Sequence, residues 1–274
     1  MPDTSLLIQM AALLLVIGAF AGVLAGLLGV GGGIVLVPAF YFTFAALGYD
    51  SPQLMQICLG TSLATIIVTS SRSALSHHRK GAVDWDILRC WAPGIIVGAI
   101  VGVTVASYLK TTALVLIFGG FSTAIGLYMT FGRDHWRLAD KMPQGLPKLI
   151  LSPVLGGLSV LMGIGGGTFG VPVLTLFGVP IHRAVATAAG FGVAIAVPSA
   201  TGFLLFRLPP EVTPPLTIGA VNLPAFGLVI AMTLITAPYG VRLAHWMDPK
   251  PLKRVFGVFL IIVALNMLRK ALGW

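Results

Sequence analysis

The sequence predicts an all-α polytopic membrane protein made of two inverted repeats, each of five apolar segments, with glycine-broken or re-entrant helices. Three observations carry this. Hydrophobic residues make up 57% of the 274-residue chain and charged residues only 9%, where a soluble domain carries roughly a quarter charged residues. Ten apolar segments can be drawn, most of them long enough to cross ~30 Å of hydrocarbon at ~1.5 Å per residue. Finally, one glycine-rich stretch occurs twice: Gly29-Val30-Gly31-Gly32-Gly33 followed by Pro38, and Gly163-Ile164-Gly165-Gly166-Gly167 followed by Pro172. Aligned without gaps, Gly22 to Pro38 and Gly156 to Pro172 match at nine of seventeen positions.

The segments are 6–28, 34–48, 54–76, 88–109, 112–132, 147–164, 168–178, 181–206, 216–242 and 251–272. The first has the small-x-small triplet Ala19-Phe20-Ala21, but no lysine or arginine precedes it and it runs on into the first glycine stretch. It is therefore expected to be a retained membrane segment and not a cleaved signal. Segments 34–48 and 168–178 are too short to span alone, and each follows a glycine triplet. Three glycines in a row make poor helix. Unwound backbone survives in hydrocarbon only where protein or a wet cavity satisfies it. Each triplet is thus expected to break a membrane helix within the membrane, the short piece then either crossing or dipping and returning.

The third segment is rich in hydroxyls, with Thr61, Ser62, Thr65, Thr69, Ser70, Ser71 and Ser73 around Arg72. The duplication extends through the remaining segments. Gly60-Thr61 aligns with Ala186-Thr187, Ser73-Ala74 with Ser199-Ala200, and Pro93 with Pro224. Ala106-x-Tyr108 aligns with Ala237-x-Tyr239, Phe118-Gly119-x-Phe121 with Phe256-Gly257-x-Phe259, and Met129 with Met267. The organisation expected is a first repeat at 1–132, a polar basic cytoplasmic linker at 133–146 and a second repeat at 147–274. An odd number of segments per copy makes the second copy enter from the opposite face, an arrangement that holds substrate near the midplane where the copies meet.

Loop charges set the orientation. Thirteen of the seventeen basic residues fall on one side; Lys110, Arg207, Arg269 and Lys270 fall on the other. By the positive-inside rule the crowded side is cytoplasmic and both termini face outward from a cell (inner) membrane. The net charge of +9 forms no aromatic-interleaved patch, so no nucleic-acid partner is expected. Membrane lipid is the expected surroundings, and a homo-oligomer is compatible with the sequence.

A helix that starts after a glycine triplet presents unpaired N–H groups and the positive end of its dipole. Two such ends converging suit an anion. The candidates for contacting it are Gly31, Gly32, Gly33, Gly165, Gly166 and Gly167, with Thr168 adding a hydroxyl where the first copy has Ile34. Thr61, Ser62 and Thr187 are hydroxyls deeper in segments three and eight, Arg72 is a membrane-segment charge, and Asn222 is a polar residue at a repeated segment. Helix-to-helix bonding is the competing role for Gln56, Asn222 and Asn266.

None of the eight carboxylates lies deep in a segment: Asp3, Asp50, Asp84, Asp86, Asp134, Asp140, Glu211 and Asp248 are terminal or in loops, and no histidine is deep either. A buried proton relay therefore has no candidate. Cys58 and Cys90 lack metal-ligand spacing, and the adjacent His77 and His78 do not face one another on a helix. No metal, no cofactor and no catalytic residue is expected; the chain is not read as an enzyme. What remains is a neutral-to-positive pathway for a small anionic substrate.

The duplicated Gly-Gly-Gly-x-x-x-x-Pro stretches, Gly31 to Pro38 and Gly165 to Pro172, together with the paired halves and the length, resemble the sulfite exporter TauE/SafE family over nearly the whole chain. The resemblance implies a multi-pass permease moving sulfite, sulfoacetate or a related organosulfonate. The alternatives are an anion channel or a carboxylate permease of the same fold.

Overall fold

The computed structural model describes residues 4–28, 32–131, 138–246 and 249–273. Among these, ten helices follow the ten apolar segments: α1 (Thr4–Leu28), α2 (Gly33–Ala46), α3 (Leu54–Arg79), α4 (Trp85–Tyr108), α5 (Thr111–Phe131), α6 (Leu146–Leu161), α7 (Gly166–Leu176), α8 (Ile181–Leu204), α9 (Leu223–Trp246) and α10 (Pro249–Leu272). Seven are long and apolar enough to cross a membrane, namely α1, α3, α4, α5, α8, α9 and α10. The chain is an all-α multi-pass membrane protein. The exception to helix is a two-residue hairpin, in which β1 (Thr217–Ile218) pairs antiparallel with β2 (Val221–Asn222). It occupies the front of the expected ninth segment, so α9 starts later than the apolar run does. The sixth segment is also shorter than expected. Gly163 adopts φ 62 and stops α6 at Leu161, leaving a helix of 16 residues, ~24 Å long by helix rise.

The centre of the bundle is α3 against α8. These two carry the largest buried shares of the spanning helices, 78% and 67%, whereas α1, α4, α5, α9 and α10 keep apolar faces outward. Around this pair the seams recur in matched sets. α1 packs on α9 as α4 packs on α6; α2 packs on α3 as α7 packs on α8; α5 and α10 pack on each other. The match holds residue by residue. Gly22 abuts Thr233 as Gly156 abuts Ile95, and Gly240 abuts Val23 as Gly102 abuts Gly157.

Glycine drives this packing. Lipid tails are as apolar as leucine, so helices in a membrane associate through close backbone approach. A Cβ on Gly102 would stand 2.9 Å from the Gly157 carbonyl oxygen, and one on Gly98 would run into the Pro153 carbonyl.

Caps register the later halves. Asp84 precedes α4 and accepts from the Ile87 N–H at 3.2 Å; Asn222 precedes α9 and accepts from the Ala225 N–H at 3.0 Å. Both helices then run 24 residues. This register corrects two of the expected alignments. Pro93 lies well inside α4 while Pro224 is the second residue of α9, and Ala106-x-Tyr108 ends α4 while Ala237-x-Tyr239 lies within α9. Local residue identity aligned the wrong turns; the caps fix the right ones.

Loop ends are closed by named polar groups. Gln56, 3% exposed, donates to the Ala106 and Leu109 carbonyls at the end of α4, which have no intrahelical partner of their own. The Thr111 hydroxyl donates to the Ser51 carbonyl at 3.0 Å and accepts from the Met55 N–H at 3.1 Å. Gln56 thus plays the helix-to-helix role. At the opposite end of the bundle the end of α3 and the starts of α4 and α8 come together, with Arg183 paired to Asp84 at 3.0 Å. His77, His78, Arg79, Lys80 and Arg89 gather there.

Gly98 and Gly227 separate packing from helix propensity. Gly98→Ala forces the α4–α6 seam apart and is expected to lower the melting midpoint in detergent by several degrees, the scale of an overpacked core costing ~1–3 kcal/mol. Gly227 has open space where its Cβ would stand, so Gly227→Ala should leave the midpoint unchanged or raised. Thermal melts followed by circular dichroism check both.

Candidate functional site

The glycine stretches form breaks in the way three different backbone tasks require. In the second stretch Gly163, left-handed, ends α6: its N–H donates to the Val160 carbonyl and the Ile164 N–H to the Ser159 carbonyl, both at 2.9 Å. This is the paired closure of a Schellman ending. Gly165 is extended, with φ −81 and ψ 177, and α7 begins at Gly166. In the first stretch Gly32, at φ 74, precedes α2, and its carbonyl accepts from the Val35 and Leu36 N–H groups at 3.0 and 3.1 Å. Gly31 lies outside the described residues, as do Gly29 and Val30.

The two breaks meet. A Cβ on Gly33 would stand 2.7 Å from the Gly163 carbonyl oxygen and 3.1 Å from Ile164 Cα. All residues from Gly32 to Pro38 and from Met162 to Thr168 are buried. α7 is 11 residues long, so helix rise puts Gly166 ~16 Å from the basic end of the bundle, near mid-depth of a ~30 Å core.

Helix α3 lies across both breaks. Ser62, Ile66 and Ser70, spaced i, i+4, i+8, form one stripe along it. The Ser62 hydroxyl donates to the Gly163 carbonyl at 2.7 Å. Ile66 fills the space between the breaks, its Cδ1 2.8 Å from the Cβ position of Gly33 and its Cγ2 3.2 Å from that of Gly165. Ser70 Oγ lies 3.7 Å from the Gly165 position. On the other side α8 presses on α7: a Cβ on Gly166 would run into the Ala188 carbonyl and stand 2.6 Å from Phe191 Cβ. In this conformation the junction is closed.

Donors remain at the start of α7. The N–H groups of Gly166, Gly167 and Thr168 have no acceptor among the described residues. Thr168 is 6% exposed, and its hydroxyl is buried without a partner. Helices generally leave their first N–H groups to caps or ligands; Gly165 supplies no side-chain cap.

Four of the expected site residues stand apart from the breaks. Thr61 accepts from the Asn222 N–H at 2.9 Å, and Thr187 accepts from the Asp84 N–H at 3.0 Å. The two bonds are counterparts: each ties a central-helix hydroxyl to the cap of a peripheral helix. Asn222 further donates through Nδ2 to the Pro215 carbonyl and Thr217 Oγ1, both at 3.0 Å. These hydroxyls and the amide are occupied in holding the fold because a buried cap N–H needs an acceptor. Arg72 is exposed on α3, away from the stripe. The sequence reading missed Ser70, Ile66 and Gly192 as neighbours of the break. Helical spacing from Ser62 would have found the first two; Gly192, in a run of small residues, gives no such signal. A groove of about 380 Å³ lined by Phe42, Ile262, Val263, Leu265, Asn266 and Arg269 lies between α2 and α10 and does not involve the breaks.

A family model described as "Sulfite exporter TauE/SafE" matches residues 14–267. A probable membrane transporter protein of Haemophilus influenzae is 31% identical over 258 residues, covering 94% of this chain and 98% of its own. One from Methanocaldococcus jannaschii is 27% identical, covering 93% and 94%, and one from Bacillus subtilis is 30% identical over 64% of this chain and 71% of its own. No solved structure gives a significant match.

The cap ties make a stability prediction. Thr61→Val and Thr187→Val each orphan a backbone N–H, with an expected cost of ~1–3 kcal/mol. Thr→Ser at either position keeps the acceptor and should recover most of the loss. Melting of the four variants in detergent measures the difference.

Proposed function

Because the chain belongs to the sulfite exporter TauE/SafE family and is a membrane transporter, we propose that it is a secondary transporter, a permease, that moves a small sulfur-containing anion such as sulfite or an organosulfonate across the cell membrane. The observation that carries this reading is the start of α7. Three N–H groups without an acceptor among the described residues, and a buried Thr168 hydroxyl without a partner among them, lie together near mid-depth in the protein interior. The helix dipole adds about half a positive charge there, and an anion is the ligand that answers all of these donors at once.

The matched seams support two halves related by inversion across the membrane, with residues 1–132 and 147–274 as the repeats. The basic end formed by α3, α4 and α8 then faces the cytoplasm and both termini face outward. The closed junction is one state of a cycle in which one half rocks against the other and exposes the site to each side in turn. Arg72, exposed on α3 beyond Ser70 toward the basic end, adds positive potential at that entrance. Movement of a charged substrate past Ile66 requires the α2 and α7 ends to separate, so transport and opening are the same event.

Thr168→Val tests the reading. Valine has the same shape and removes a buried hydroxyl that has no partner, so the substrate-free protein should be as stable as before or more so. Sulfite or sulfoacetate uptake into reconstituted vesicles should fall about tenfold or more, the worth of one hydrogen bond to a charged group. Full uptake by the variant, or uptake that rises without saturation in the unaltered protein, would count against a permease using this site; preference for simple carboxylates would move the substrate to the carboxylate class.

A further inference from the structure

Helix α10 faces outward over most of its span, where contact with lipid favours apolar side chains. One stripe departs from this. Ile262, Leu265, Asn266 and Arg269, spaced i, i+3, i+4 and i+7, share a face. Ile262 and Leu265 are 62% and 53% exposed, so the face looks away from the core, and Asn266 and Arg269 are exposed on it as well. The Asn266 carboxamide makes no hydrogen bond and Arg269 makes no ion pair among the described residues. Helix rise places Asn266 ~9 Å short of the end of α10 at Leu272. A carboxamide at that depth is costly unless something answers it.

The helix pairing does not demand this amide and guanidinium. α5 and α10 contact each other reciprocally: a Cβ on Gly119 would run into Leu268, and one on Gly257 into Thr130. In that register Asn266 corresponds to Tyr128 and Arg269 to Phe131, aromatic residues of the kind that belt a span at the interface.

The stripe borders the groove between α2 and α10. Its volume of about 380 Å³ lies within the ~300–1,000 Å³ range of ligand sites. Phe42, Ile262, Val263 and Leu265 line its apolar length, and Asn266 and Arg269 its polar end. Beside that end Lys270 Nζ stands 5.0 Å from the centre of the Tyr41 ring. This cation–π contact braces α2 against α10 and brings a second positive charge. No carboxylate pairs with either cation among the described residues. The groove thus has the polarity of a phospholipid, apolar along its length and cationic at one end. A small inorganic anion would leave the apolar length unfilled. A second copy of the chain holds no carboxylate deep in any span to answer Arg269.

We propose that this groove binds an anionic phospholipid. Its phosphate accepts from the Arg269 guanidinium and the Asn266 amide, and Lys270 adds positive charge from the Tyr41 side. One acyl chain lies along Ile262, Val263 and Leu265 against Phe42. The site is separate from the glycine breaks, but α2 connects the two: it starts beside the Gly163 carbonyl and reaches the groove at Phe42. The lipid therefore holds the far end of a helix whose start closes the junction.

Lipid titration of the purified full-length protein in neutral detergent tests the site, with retained lipid counted by native mass spectrometry and the melting midpoint followed alongside. Phosphatidylglycerol should bind more tightly than phosphatidylcholine of the same chains and raise the midpoint more. Arg269→Gln should weaken phosphatidylglycerol about fivefold, the effect of one basic residue at an anionic lipid, and leave phosphatidylcholine unchanged. Asn266→Leu should also weaken phosphatidylglycerol, without lowering the midpoint of the lipid-free protein. Arg207→Gln removes another charge from the sparsely basic side without touching the groove, and should change neither lipid. Equal losses from Arg269→Gln and Arg207→Gln would make the attraction one of overall charge and overturn the site, as would equal binding of the two lipids. If glycerol 3-phosphate displaces phosphatidylglycerol, the groove is a seat for soluble phosphates and the lipid assignment falls. If the lipid-free protein is a dimer that Ile262→Arg separates into monomers, a second copy fills the groove and the inference is overturned. None of these outcomes bears on the anion reading at α7.

Discussion

A helix cannot stop inside a membrane without releasing backbone groups that lipid cannot satisfy. That constraint organises this protein. Where α6 ends, the Gly163 closure takes up two carbonyls and Ser62 donates to a third group, the Gly163 carbonyl itself. Where α7 begins, neither a cap nor a neighbour accepts from the first N–H groups among the described residues. One side of the break is satisfied by the protein; on the other, the first N–H groups find no acceptor among the described residues. The burial of α3 and α8 follows from this, because only helices withdrawn from lipid can line a polar discontinuity.

The duplicated seams explain how the break is held in place. α1 on α9 and α4 on α6 are glycine-lined contacts at the periphery, and the Thr61–Asn222 and Thr187–Asp84 bonds tie the periphery to the centre. These bonds occupy the same place in each half, and both are backbone N–H to hydroxyl. The Arg183–Asp84 pair adds to one of them only. It is partly exposed, so it contributes little to stability, and its presence on one end alone makes the two ends unequal.

Of the eight hydroxyls on α3, half are spent. Thr61 holds a cap, Ser62 holds a break, and Thr65 and Thr69 donate to carbonyls of their own helix. Self-bonded hydroxyls of this kind are common in membrane helices and say nothing of substrate. Thr168 on α7, by contrast, has a buried hydroxyl without a partner among the described residues, a property of position and not of residue type.

The sequence by itself determined the class, the ten elements to within a few residues in most cases, and the place of both breaks, because hydropathy over a span and three adjacent glycines act locally and cannot be overridden in lipid. It also indicated Gln56 as a helix-to-helix donor. Gly33, Gly165 and Thr168 stand at the breaks. It could not sort the hydroxyls, since Thr61 and Ser62 are neighbours in the chain and face different partners more than a hundred residues away. It misaligned Pro93 with Pro224 because identical letters outweighed the caps. Tertiary structure alone decided that α3 and α8 meet at the centre, that Ile66 stands between the breaks, and that Gly192 lets Ser70 and the start of α7 come close. Those are matters of which side chains share a space, and only the packing of distant segments sets that.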